Sequence, residues 1–390
     1  MIYLDNNATT LLDPRVAATM SDLLHQRLAN PSSQHAAGRA ARRILEQSRD
    51  DLLVACNAKT SGFDGDVCVW TSGGTEANNL AIFGLAEMRP GAIVVSSIEH
   101  PSVLAAAEKL AIAGREVRYL PCLPSGIIDL EPLRRWLDDE HDPIALVSVM
   151  LANNETGVLQ PVQRIVELCR PRAVVVHSDA VQALGKIPLD FQQLGLHAMT
   201  VTAHKVHGPL GVGALVLQHG ITVAPRHFGG FQQLGVRPGT EMPTLARGFA
   251  HAASLAVAEL DQRADQMQRL RTQFESRLRE HLPTSVILGE SAPRLPHTLS
   301  VAFPGVDRQA LQMALDHAGI ACSTGSACAS GSSQPSHVLQ AMQAPDAVLK
   351  SAIRFSLSHE STELEIDKVT DALIRIIPRL TRPLLGRAPT

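Results

Sequence analysis

Short apolar runs rich in β-branched residues alternate with longer helix-compatible stretches, the pattern of βαβ units around a mainly parallel sheet. Each run ends in polar residues. Val67-Cys68-Val69-Trp70 leads into Thr71-Ser72-Gly73-Gly74-Thr75-Glu76, and Ala92-Ile93-Val94-Val95 leads into Ser96-Ser97-Ile98-Glu99-His100. The run from Ile144 to Met150 precedes Asn153-Asn154-Glu155, and Ala173-Val174-Val175-Val176 precedes His177-Ser178-Asp179. Met199-Thr200-Val201 precedes Thr202-Ala203-His204-Lys205. Ligands of open α/β sheets bind beyond the carboxyl ends of the strands, so these ends point to one site.

Beyond about residue 255 the texture changes. A charged helical stretch runs from Ala258 to around Glu280, followed by Pro283 and a strand from His297 to Phe303. An amphipathic helix from Asp307 to His317 and a strand from Ala352 to Leu357 come next. A closing helix from Thr362 to Leu380 opens on a Thr362-x-x-Glu365 capping box. The expected organisation is an α/β fold with a large domain over 16–257 and a smaller α+β domain over 258–390. The N-terminal segment 1–15 is expected to pack near the site and the smaller domain.

Composition narrows the function. The 390 residues, 45% of them hydrophobic, suffice for one large core and a smaller one. A net charge of -3 leaves no basic excess for nucleic acid or an anionic membrane, so recognition is local and a small substrate is expected. The six cysteines (Cys56, Cys68, Cys122, Cys169, Cys322 and Cys328) include no CxxC pair. That argues against a zinc ribbon, a thioredoxin motif or a disulfide scaffold and for reduced thiols in the cytoplasm. No segment approaches the length of a membrane span, and the first residues lack a basic region followed by an apolar stretch. None of the 16 histidines falls in an HxxxH or HxxEH arrangement, so no metal is expected.

The candidate chemistry centres on Lys205. A lysine at a strand end can lose its proton by desolvation and form an imine with a carbonyl cofactor; a solvated surface lysine is the ordinary alternative. Asp179 follows an apolar run, where a carboxylate needs a cationic partner such as a protonated pyridine nitrogen, or else serves as a helix cap. Gly74 and Thr75 lie in a turn whose amides can meet a phosphate, with Thr202 and His204 close enough to Lys205 to share it. His100 suits ring stacking or proton transfer, or a structural role. Cys328 sits in the Gly- and Ser-rich tract 323–333, which suits a movable thiol arm as well as a plain surface loop.

Together these segments resemble the NifS/IscS-like cysteine desulfurases of the class V aminotransferase superfamily, pyridoxal-phosphate enzymes of fold type I. The landmarks are Tyr3 to Thr10, Thr71 to Asn79, Glu99-His100, Asn153 to Gly157, Asp179 to Gln182, His204-Lys205, Arg237 to Thr240, Gly325 to Cys328, Pro335 to Leu339 and Ile353 to Ser356. The resemblance implies a seven-stranded, mainly parallel sheet in the large domain. It implies that Lys205 holds pyridoxal 5'-phosphate as an imine and shuttles protons. Asp179 would face the pyridine nitrogen, Gln182 the phenolic oxygen, and His100 the ring. Gly74, Thr75, Thr202 and His204 would hold the phosphate, with Thr240 reaching across a homodimer to the neighbouring site. Asn154, counted with the cofactor contacts, would fix the substrate carboxylate together with Arg354. The implied reaction converts L-cysteine to L-alanine and leaves a persulfide on Cys328 for a sulfur-acceptor or iron-sulfur scaffold protein.

The chain departs from the family pattern in places. Gly229-Gly230-Phe231-Gln232-Gln233-Leu234-Gly235 lacks the usual third glycine and the acidic-basic pair. Leu210 replaces a lysine and Pro238 a serine. Cys322 reads as a quiet strand residue, with a disulfide or a sulfur relay as alternatives. The competing functions are another class V enzyme, such as a selenocysteine lyase or cysteine-conjugate lyase, and a noncatalytic sulfur-assembly scaffold.

Overall fold

The computed structural model describes residues 1–60, 64–139, 141–325 and 335–381. Its strands, in chain order, are β1 (Ile2–Tyr3), β2 (Val67–Thr71), β3 (Ala92–Ser96), β4 (Val117–Leu120), β5 (Ile144–Ser148) and β6 (Val175–Asp179). They continue with β7 (Ala198–Thr202), β8 (Gly213–Leu217), β9 (Val286–Ile287), β10 (Thr298–Ala302), β11 (Ile320–Ala321) and β12 (Ala352–Ser356). Seven of them form the main sheet in the order β2-β8-β7-β6-β5-β3-β4. The expectation of a mainly parallel sheet holds, with β8 alone running against its neighbours.

Side chains that alternate along each strand build a core on both faces of this sheet. Ile93 and Val95 of β3 join one apolar cluster and Val94 the other. In β8, Leu215 and Leu217 lie on the first face and Ala214 and Val216 on the second. Helices cover both faces, which explains why these strands read as continuous apolar runs.

A third core gathers under the antiparallel sheet β12-β10-β9, where Leu299, Val301, Ile353 and Phe355 meet the helices Leu260–His281, Arg308–His317 and Glu363–Thr381. The capping box is formed: Glu365 N donates to Thr362 Oγ1 at 3.3 Å, and Thr362 N donates to Glu365 Oε2 at 2.9 Å. One strand boundary moves. β6 begins at Val175 because Ala173 adopts the left-handed region at φ 51°, and it continues through His177 and Ser178 to Asp179, which pairs with Thr200.

The first ten residues tie the two sheets together. Ile2 and Tyr3 pair in parallel with Ile320 and Ala321, and Leu4 enters the third core. Asn6 Nδ2 donates to Ser356 O at 2.8 Å, while Asn7 Nδ2 donates to Thr298 Oγ1 at 3.0 Å. Thr10 N then donates to His204 O at 2.8 Å, beside the end of β7.

Candidate active site

The carboxyl ends of β2, β3, β5, β6 and β7 meet at a cavity of about 440 Å³. Its lining contains Gly74, Thr75, His100, Asn154, Asp179, Gln182, Thr202, His204, Lys205 and Arg354. Thr240 is exposed and does not line it. Cys328 lies outside the described residues, although the residues flanking its tract, Gly325 and Pro335, are both in the lining.

A single 3₁₀ turn, Ala203–Lys205, follows β7 and delivers the lysine. Lys205 Nζ donates to the backbone carbonyls of Asn7 and, at 2.7 Å, Ala8. Gln182 Nε2 donates to the same Asn7 carbonyl at 3.1 Å. Asp179 ends β6 and is buried; Oδ1 accepts from Val181 N at 2.9 Å and Oδ2 from Asn78 Nδ2 at 2.7 Å. Among the described residues no Lys or Arg forms an ion pair with it, so its charge faces the cavity supported by amide donors alone. Such a carboxylate awaits a cation.

His100 caps the helix Pro101–Ile112, its Nδ1 accepting from Ser102 N at 3.1 Å. A nitrogen that accepts from a backbone amide carries no proton, so Ser102 Oγ, 2.8 Å away, donates to Nδ1 as well and the ring proton resides on Nε2. Ser102 Oγ in turn accepts from Asn78 Nδ2 at 2.9 Å, which links His100 to Asp179. Burial holds the imidazole below its ordinary pKa, hence neutral.

The helix Gly74–Glu87 starts at this cavity without a side-chain cap. Its first amides are therefore open to an anion. β8 supports the turn at close quarters: a Cβ on Gly213 would stand 2.7 Å from the carbonyl carbon of Gly73. Across from it, Thr202 Oγ1 donates to Val212 O at 3.1 Å, so binding an anion through this hydroxyl requires giving up that bond. Burial pushes His204 down to about 4, leaving a neutral ring 3.3 Å from Thr9 Oγ1.

Arg354, in β12, is 2% exposed. Its Nη2 binds Asp5 Oδ1 at 2.8 Å and its Nη1 donates to Asn154 O at 2.8 Å, while Nε has no partner among the described residues. Asn154 Oδ1 is also buried and unpartnered. Cys322 is quiet: burial pushes its thiol up to about 12, which keeps it protonated.

Fold and site together are those of the class-V aminotransferases, a family of pyridoxal-phosphate enzymes. The chain belongs to that family, whose model matches residues 2–369. Its relatives are specific. It is 38% identical over 382 residues to a cysteine desulfurase of Gluconacetobacter diazotrophicus, covering 97% of this chain and 94% of that protein. It is 36% identical over 390 residues to the cysteine desulfurase NifS of Azotobacter vinelandii, covering 100% and 94%. The structure of a NifS-like protein from Rickettsia africae superposes with a TM-score of 0.89 at 33% identity, covering 97% of this chain and 99% of that one. These full-length relatives support the same activity here.

The residues present fit pyridoxal phosphate. An amine, a buried carboxylate lacking a cation and an uncapped helix start suit the aldehyde, the ring nitrogen and the phosphate respectively. Sequence reasoning assigned no site role to Asn7, Ala8, Asn78, Ser102, His337 or Asp5, all of which line the cavity or bind residues that do. Asn78 alone had a local signal, being one helical turn from Gly74 and so on the same face.

Proposed function

We propose that the protein takes sulfur from L-cysteine onto Cys328, releases L-alanine, and passes the persulfide to an acceptor protein. The carrying observation is that Gly325 and Pro335, the described residues nearest Cys328 on either side, share one cavity with Lys205, Asp179 and Arg354. The net reaction balances without an outside oxidant: L-cysteine and a thiol give L-alanine and a persulfide.

Bound pyridoxal phosphate supplies an electron sink that acidifies the substrate Cα-H and weakens its bond to sulfur. Lys205 Nζ holds the cofactor and afterwards moves protons between substrate carbons. Asp179 keeps a proton on the ring nitrogen, and Gln182 contacts the phenolic oxygen. His100, which lines the cavity, would face the ring. The amides at Gly74 and Thr75, with Thr202 and His204, hold the phosphate. Arg354 and Asn154, both in the cavity lining, would orient the substrate carboxylate.

The same reading includes a homodimer in which Thr240 reaches the neighbouring site. Exposed Phe228, Phe231, Leu234 and Met242 on the surrounding segment support it, since such surface is normally covered. The acceptor is a sulfur-carrier or iron-sulfur scaffold protein.

The test is to saturate the purified protein with pyridoxal phosphate, add L-cysteine and reductant, and quantify alanine and sulfide. Both form in equal amounts. Cys328→Ala loses at least about 100-fold in rate while keeping the yellow chromophore, and Lys205→Ala loses the chromophore. An unchanged rate in Cys328→Ala would refute sulfur transfer through that thiol.

A further inference from the structure

Beneath Lys205 the molecule buries a second lysine that the proposed reaction does not use. Gly185 takes the left-handed region at φ 67°, and a Cβ there would stand 2.6 Å from Ala256 Cβ, so the turn passes under the helix Pro243–Ala258 only with glycine. The turn sends Lys186 inward to 5% exposure, where its Nζ donates to the backbone carbonyl of Lys205 at 3.1 Å.

No carboxylate among the described residues pairs with Lys186. The acidic groups nearby are already engaged: Asp13 binds Arg15 and lies 3.9 Å from Arg263, and Glu259 binds both arginines. The cations that act on Lys186 are Arg263, from the helix Leu260–His281, and Lys205 itself. His207, His297 and His359 face it from three further segments, and burial holds all three far below the usual imidazole range, so they are neutral. Burial and the two cations push the Lys186 amine down to about 7. A buried amine without a counter-ion costs stability, and a hydrogen bond to one carbonyl does not offset that cost. Its place against the backbone of the candidate cofactor lysine points to a role in the chemistry.

We propose that Lys186 is a positioning residue for Lys205: its Nζ anchors the Lys205 carbonyl, and in its protonated form it opposes protonation of the Lys205 amine. Like charges in one low-dielectric pocket each resist protonation of the other, so the effect is mutual. The arrangement opposes the carbonyls of Asn7 and Ala8, which favour the charged amine. The free amine is the form that attacks a carbonyl and accepts a proton.

The inference rests on Lys205 being the cofactor lysine. Wild-type protein loaded with pyridoxal phosphate tests that separately, because an absent chromophore fails the reading of Lys205 and leaves nothing for Lys186 to tune. With the chromophore present, its absorbance is titrated with pH in wild type, Lys186→Met and Lys186→Arg. Lys186→Met is expected to raise the midpoint by about one unit and to lower kcat roughly tenfold, with KM for L-cysteine within about twofold. Lys186→Arg keeps a cation there and does not raise the midpoint. A midpoint unmoved in Lys186→Met, or moved equally in Lys186→Arg, overturns the proposal. Should Lys186→Met fail to fold, Lys186→Gln removes the charge while keeping a donor, and a wild-type midpoint in that variant overturns it equally.

Discussion

Glu99 is wholly buried, one residue before His100. Its Oε1 accepts from Ser96 Oγ at 2.5 Å and from Met150 N at 2.8 Å, and its Oε2 has no partner. Burial, which outweighs these donors, pushes its pKa from 4.5 up to about 8, with the nearby Asp179 charge adding to the rise. The carboxyl is therefore mostly neutral at pH 7. A carboxyl whose folded pKa lies above its unfolded value binds a proton on folding, so its contribution is complete below about pH 4.5 and is lost as pH rises through about 8. Glu99→Gln, a neutral isostere, removes that dependence. Thermal melts of both proteins from pH 5 to pH 9 should show the variant gaining on wild type with rising pH, by on the order of a few kcal/mol. A constant gap would mean that Glu99 is ionised throughout. Among single residues, Lys205 and Asp179 were legible as cavity residues because reactive side chains at strand ends are chemically costly, whereas Arg354, in the middle of β12, was pointed to only by the family resemblance. Asn7 and Asp5 were not, since their partners Lys205 and Arg354 are brought to them only by the tertiary fold.

At the level of elements, the departure at Gln233 has a structural use. β2 is an edge strand, and the Gln233 amide seals it: Oε1 accepts from Trp70 N at 2.6 Å and Nε2 donates to Trp70 O at 2.9 Å. Gln233 and Leu234 hold left-handed φ values of 50° and 59° to present this amide. A glutamate, the acidic residue that the family resemblance leads one to expect here, cannot donate to the Trp70 carbonyl. Gln233→Glu should therefore destabilise the protein by about 1–3 kcal/mol in urea unfolding, and Gln233→Ala by a comparable amount. Equal stability of all three forms would show that the edge bonds contribute nothing. The long strands and the capped closing helix were legible because periodicity and capping are local. The two-residue strands β1, β9 and β11 were not, because two residues carry no period and form only where a partner strand lies alongside.

At the scale of the molecule, no helix among the described residues is long and apolar enough to cross a membrane. The exposed apolar residues instead concentrate near Phe231, which is 94% exposed. Light scattering should give the mass of two chains, and Phe231→Asp should shift the equilibrium toward one chain by at least about tenfold in dissociation constant. An unchanged mass in the variant places the contact elsewhere. A second, smaller sheet beyond residue 255 was anticipated from the change in texture; the seam that joins it to the first was not, because Asn6 and Asn7 make it by donating hydrogen bonds and Asp5 by accepting one from Arg354.

That seam orders events during synthesis. Residues 2–6 dock on β11 and β12, which follow every strand of the main sheet in the chain, so the segment that brings Asn7 and Ala8 to Lys205 is anchored only once residue 356 has been made. A nascent chain that ends after β8 carries every strand of the main sheet but lacks Arg354 and the strands that anchor Asn7 and Ala8. Cofactor capture in its final geometry is then a late act of biogenesis, delayed until β11 and β12 have closed on residues 2–6.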